Sequence, residues 1–234
     1  MADYDLYYWP VPFRGQFIRA ILAHAGKTWT EHGPDEIEAL MGRSPADQPV
    51  PFVGPPVLIA PDGFALSQMP AIALHLGDEL GLTPADPRGR AMTAKIVADA
   101  NDVIDELTLD GGRQMWTAPR WKAFAPRLAR WMRIWETTAE RNGVTADGGW
   151  MLGTPAPGVA DVVTSVLWST MGDRFPPLRT MLDEAAPRTA ALARRLQATP
   201  PLAALKARSF ELYGQAYCGG EIEKSLRRVI DVPI

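Results

Sequence analysis

The sequence predicts two unlike parts, a small α/β unit in which helices cover a sheet and, after it, an all-helical one. Three observations lead there. Up to about residue 81, short aromatic and β-branched runs alternate with segments of helical spacing, an order that sets helices against a sheet. Thr83-Pro84-Ala85-Asp86-Pro87 then has the turn chemistry of a linker. Beyond it, apolar residues recur at helical spacing and no convincing strand follows. The parts are drawn as 1–82, a linker at 83–87, helices over 88–215 and a C-terminal extension at 216–234.

Leu6-Tyr7-Tyr8-Trp9 is short and aromatic and is stopped by Pro10 and Pro12, so it reads as the first strand. Phe17, Ile18, Ile21, Leu22 and Ala25 then share one helix face, which Gly26 closes. A second strand begins at Trp29-Thr30, with a short helical stretch at Glu36 to Met41. Val57-Leu58-Ile59 is a strand, and Pro61-Asp62-Gly63 turns it into a hairpin. A helix runs from Pro70 to about Gly81. Proline gives up a ladder donor and belongs at a strand's mouth or edge, and X-Pro bonds alone adopt cis at modest cost, so Pro56 is a candidate cis-proline.

In the helical part, Met92, Ile96, Val103, Ile104 and Leu107 mark a long first helix, and Phe124, Leu128, Trp131 and Trp135 a second behind Pro126. Val162, Val163, Val166, Leu167 and Thr170 suit the centre of a bundle. Leu192 and Leu196 lead to a stop at Pro200-Pro201. The extension carries a short charged helical piece at Glu221 to Arg228; it covers a site mouth or lies on the surface, and the surface is the favoured reading.

Pro51-Phe52, Pro56-Val57-Leu58, the Asp62-Gly63 hairpin and Leu66-Ser67-Gln68-Met69 before a helix resemble the cytosolic glutathione transferases. So do Tyr7-Tyr8-Trp9-Pro10 followed by Arg14-Gly15-Gln16, Gly158-Val159-Ala160-Asp161, Phe175-Pro176-Pro177-Leu178 and Pro200-Pro201-Leu202. The likeness runs to about Leu205 and is nearest the tyrosine-type classes such as pi and sigma, in a divergent, bacterial-like member. It implies a thioredoxin-like domain joined to a helical one, glutathione as co-substrate, a small hydrophobic electrophile as the second substrate, and a homodimer.

The resemblance also implies residue roles. Tyr8 matches the tyrosine that donates to the glutathione sulfur and favours the thiolate, the form that attacks. Read from the residue alone, it is equally a strand-end core aromatic. Arg14, Pro55, Pro56, Gln68 and Met69 match the tripeptide site, and Asp102 a carboxylate that reaches the partner subunit's γ-glutamyl amine; as bare charges, Arg14 and Asp102 are also at home in solvent. Pro10, Val11, Met115 and Trp116 are the pocket candidates for the electrophile, whereas Trp131 and Trp135 read as core. Phe52 matches the aromatic key between subunits, its alternative being burial in its own loop. The chain departs from the family twice: Pro55 has no N–H to give the cysteinyl part, and Met69 stands where a serine hydroxyl holds the γ-glutamyl carboxylate. A non-catalytic scaffold with a degraded site is the competing reading.

Composition excludes other classes. The 234 residues, 47% of them apolar, suffice for a sizeable core, and a net charge of −3 gives no footprint for nucleic acid and no polybasic membrane patch. One cysteine, Cys218, allows no disulfide framework, and the opening residues lack the basic and apolar regions of a signal peptide, which points to the cytoplasm. His24, His32 and His75 show no ligand spacing, so no metal is expected.

Overall fold

The computed structural model describes residues 2–231. Its first part is β1 (Tyr4–Tyr7), α1 (Phe13–His24), β2 (Trp29–His32), α2 (Pro34–Met41), β3 (Val57–Ile59), β4 (Ala65–Ser67) and α3 (Met69–Glu79). The sheet runs β2-β1-β3-β4, with β1 parallel to β2 and antiparallel to β3, and β3 antiparallel to β4. Leu6 faces Leu58 across the central pair and both are buried under the helices. The first strand thus lies earlier than its aromatic run suggests. Tyr7 pairs with the last residue of β2 and the first of β3, so Tyr8 and Trp9 have no ladder to join. α1 begins at Phe13, directly behind Pro12.

The second part is α4 (Pro87–Leu107), α5 (Leu109–Gly112), α6 (Ala118–Arg141), α7 (Val159–Arg174), α8 (Pro176–Ala185), α9 (Pro187–Gln197), α10 (Pro200–Tyr213) and α11 (Gly220–Arg227). The predicted centre is confirmed: Val162, Val163, Val166 and Leu167 are buried, and α7 packs on α1, α4, α8 and α9. One of its polar core groups is paired across the bundle, Trp135 Nε1 donating to Thr164 Oγ1 at 3.0 Å. α6 runs straight through Pro126 instead of starting behind it. Pro126 is exposed, so water can reach the carbonyl that its missing N–H leaves free. Pro200-Pro201 likewise opens a helix, where proline is preset for the first turn.

Asp161 caps α7 as expected, its carboxylate accepting from Gly158 N at 2.9 Å and from Met151 N at 2.6 Å. Burial pushes its pKa up to about 6 against the pull of those amides. The absent cap hydroxyl at residue 158 has a steric reason: a Cβ there would sit 2.4 Å from the carbonyl oxygen of Leu82, which accepts from Val159 N at 2.9 Å. The junction between the two parts is therefore close backbone contact.

The extension does not lie on the surface. Tyr217, Leu226, Val229 and Ile230 are buried, and Ser225 Oγ accepts from Trp116 N at 3.0 Å. Its apolar residues recur on one face of α11 and have the helical part to cover.

Candidate active site

Tyr7, Val57 and Ser67 lie side by side at one end of the sheet, so the chain leaving β1, the chain entering β3 and the start of α3 meet there. The first corner is the turn from β1 into α1. Pro12 offers no side-chain cap, and the phenol oxygen of Tyr8 takes that role, accepting from Arg14 N at 2.9 Å. The ring lies flat on Gly15, where a Cβ would come within 2.3 Å of Tyr8 Cδ1. Tyr8 is 3% exposed; burial pushes its pKa up to about 12, with the Arg14 charge and amide working the other way. The phenol is thus protonated at neutral pH. Among the described residues its own O–H finds no acceptor.

Two arginines hold this corner. Arg19, buried in α1, pairs with Glu31 of β2 and donates from Nη1 to Val11 O at 3.0 Å, which fixes the turn. Arg14 reaches across to Asp105 of α4 at 3.4 Å. The helical spacing does not mark Arg19, which lies off the face of Phe17, Ile18, Ile21 and Leu22; the opposite charge of Glu31 on the next strand is the signal the sequence offers.

The tail closes over the same turn. Tyr217 wedges between the rings of Phe13 and Phe175, each with centroids 5.3 Å away. Burial raises its pKa well above the usual phenol value. Val11 Cγ1 lies 3.5 Å from where a Cβ of Gly219 would stand. Glu223 shapes this turn, one carboxylate oxygen accepting from the amides of Tyr217, Cys218 and Gly219 at 2.7 to 3.0 Å and the other from Arg227. Burial works to raise the Glu223 pKa, but those donors outweigh it and the net shift is downward. Cys218, pushed up to about 12 by burial and then by Glu223, is a protonated thiol at neutral pH. Glu223 and Arg227, four apart on a helix, were the signal in the sequence for this arrangement.

The predicted pocket residues are placed accordingly. Trp116 is buried, its Nε1 donating to Leu107 O at 2.9 Å, among Trp121 and Phe124 and beneath the tail. Val11 is half-buried against the tail, whereas Pro10 and Met115 are exposed.

The second corner is open. Pro55-Pro56 is a cis peptide, as anticipated for Pro56, and stands directly before β3. Gln68 is exposed and holds φ at 74°, a left-handed conformation costly for a side chain other than glycine and asparagine. The amides of Met69 and Ala71 at the start of α3 donate to no backbone acceptor, and Pro70 between them has no N–H. Met69 itself is fully buried, so its thioether belongs to the core. Such a corner suits a carboxylate.

Two predicted residues stand apart. Phe52 is half-buried, its N–H donating to Gln48 Oε1 at 2.8 Å, beside Val53, which is 92% exposed. Asp102 is exposed on α4; partial burial and then Asp99, Glu106 and Asp105 raise its pKa.

Residues 92–229 match the family model described as the glutathione S-transferase C-terminal domain. No curated protein sequence matches the chain. Among solved structures, similar chains include a glutathione S-transferase from the hookworm Necator americanus, described as monomeric, with a TM-score of 0.70 and 20% identity over 88% of this chain and 96% of that one. The glutathione S-transferase of Ascaris lumbricoides gives 0.71 and 20% over 88% and 97%, and a Nu-class enzyme from Haemonchus contortus 0.69 and 21% over 88% and 97%. At such identity these likenesses establish the fold: a thioredoxin-like part followed by a helical one.

Proposed function

The chain belongs to the glutathione S-transferase family, whose C-terminal domain it carries, and from that premise we propose that it is a tyrosine-type transferase, setting the thiolate of glutathione on a hydrophobic electrophile in the cytoplasm. The observation that carries this reading is the corner at α3: the amides of Met69 and Ala71, which donate to no backbone acceptor, stand at the helix start beside exposed Gln68 and would seat the γ-glutamyl carboxylate. Pro55 C=O, next to Pro56, would accept from the cysteinyl amide. Tyr8 would stabilise the sulfur, since its oxygen takes its hydrogen bond from the Arg14 amide while its proton stays free to be donated. Arg14 adds positive charge nearby. Pro10, Val11, Met115 and Trp116 would border the electrophile, and the tail over Val11 and Trp116 favours small acceptors.

Glutathione binding should be weak. The N–H absent at Pro55 and the hydroxyl absent at Met69 each cost about 0.5–1.5 kcal/mol, together roughly ten- to a hundredfold in affinity. Calorimetric titration with glutathione tests the reading. We expect a dissociation constant that much weaker than for an otherwise identical site with both bonds; saturable binding with turnover of a small aromatic halide supports it, and no heat at millimolar glutathione ends it.

The same two departures favour a second reading, a scaffold that has lost its glutathione site, and the null titration would select it. Dimerisation is part of the first proposal, with Phe52 beside Val53 as the key and Asp102 reaching the partner's glutathione amine. A mass in dilute solution near 25.6 kDa, that of a single chain, would remove both roles.

A further inference from the structure

α1, α7 and α10 border a pocket with about 20 Å³ of space, room for one particle the size of a water or a halide ion. Three polar atoms of its lining residues are buried and without a partner in the protein: Nε and Nη1 of Arg174 and Oε1 of Gln16. Arg174 is 3% exposed and its guanidinium is fixed in place. Nη2 donates to Ser209 Oγ at 3.0 Å, and Cζ lies 3.5 Å from the centroid of the Phe210 ring; both residues line the same cavity.

A guanidinium cannot shed its charge in a protein, and burying it without an opposite charge is strongly unfavourable. The surrounding carboxylates are already engaged. Asp173 is shared by Arg179 and Lys206, and Glu223 is held by Arg227. Arg174, Arg179, Lys206 and Arg227 therefore stand against Asp173, Glu223 and Asp231, four cations to three carboxylates. Asp231 lines an adjacent hollow with Arg174 and Arg227 and, among the described residues, forms an ion pair with neither.

We propose that the cavity between α1, α7 and α10 is a binding site for a small monovalent anion of halide size, held by Nε and Nη1 of Arg174 and by the Gln16 amide turned to donate from Nε2. A carboxamide presents its nitrogen or its oxygen from the same position, so the turn needs no other movement. A water would join the three atoms as they stand and leave the cation uncompensated. The ion would tie α1, which carries the Tyr8 corner, to the end of α7 and to α10.

Bromide is the probe. In crystals soaked in sodium bromide, anomalous scattering should place an ion between Arg174 and Gln16. In solution, bromide should stabilise the protein over gluconate at equal ionic strength, multiplying the folding constant about tenfold at ~100 mM bromide for a dissociation constant of ~10 mM. Arg174→Met should abolish that difference. Should that variant fail to fold, Gln16→Glu supplies a carboxylate in the ion's place and should yield a folded protein indifferent to bromide. An anomalous peak without a bromide-specific shift would mean an adventitious ion only, and no peak an ordered water; either overturns the site, as does an undiminished bromide effect in the variants.

Discussion

Two helices begin at the same end of the small sheet, and the chain treats their first amides in opposite ways. At α1, the protein supplies its own acceptor: the Tyr8 oxygen takes the Arg14 N–H, Gly15 makes room for the ring, Arg19 pins the turn and the tail closes over it. At α3, the amides of Met69 and Ala71 are left free beside an exposed Gln68 at positive φ. Satisfied donors make stability; unpaired donors at a helix start make a seat for an anion. The contrast separates the corner that holds the fold from the one built to receive a ligand, with the Tyr8 proton the one group of the closed corner that is left to give.

Mutations can break or sharpen that division. The largest effect is expected from Tyr217→Ala, which empties the wedge between Phe13 and Phe175 and should cost about 3–5 kcal/mol in urea unfolding. A loss below 1 kcal/mol would mean that the tail does not close the corner. Tyr8→Phe comes next. It leaves the part-buried Arg14 amide without its acceptor and should cost about 1 kcal/mol. If Tyr8 also activates the thiol, the same variant should lower turnover with a small aromatic halide tenfold or more and raise the pKa of bound glutathione. A stability loss with unchanged turnover would keep Tyr8 as a cap alone.

Gln68→Gly probes the open corner. Glycine accepts φ of 74° without penalty, so stability should stay level or rise by up to about 1 kcal/mol while glutathione affinity falls by calorimetry. A marked stability loss there would erase the division of roles. The smallest expected effect is on pH. The folded-state pKa of Glu223 lies below its unfolded value, so its contribution is fully present above about pH 4.3 and is lost as pH falls through the lower, folded value. Proteolysis of the tail, followed from pH 6 to pH 3, should speed up only in that acid range, and Glu223→Gln should flatten the profile.

Much of the architecture was legible because it is written locally. The alternation up to residue 81, the apolar run through Val162 to Leu167 and the Asp161 cap all rest on neighbours within a turn or two. Single boundaries failed where a partner far away decided them. β1 ends at Tyr7 because β2 and β3 offer no further ladder, and α6 continues past Pro126 because that face meets water. The site was legible as a set of positions but not as an arrangement. No sequence pattern says that Met69 points into the core, that the Tyr8 oxygen caps α1, or that Trp116 donates to Ser225 across 109 residues.

The backbone contact between Leu82 and Gly158-Val159 bears on how the molecule comes apart. Gly77 adds to it, since a Cβ there would lie 2.7 Å from a methyl of Val159, and the buried apolar residues of both parts form one continuous cluster. Residues 83–87 consequently do not act as a hinge between separately folding bodies. Heat should melt sheet and bundle in a single cooperative transition, with calorimetric and van't Hoff enthalpies equal. A small residue at position 158 lets the two parts meet backbone to backbone.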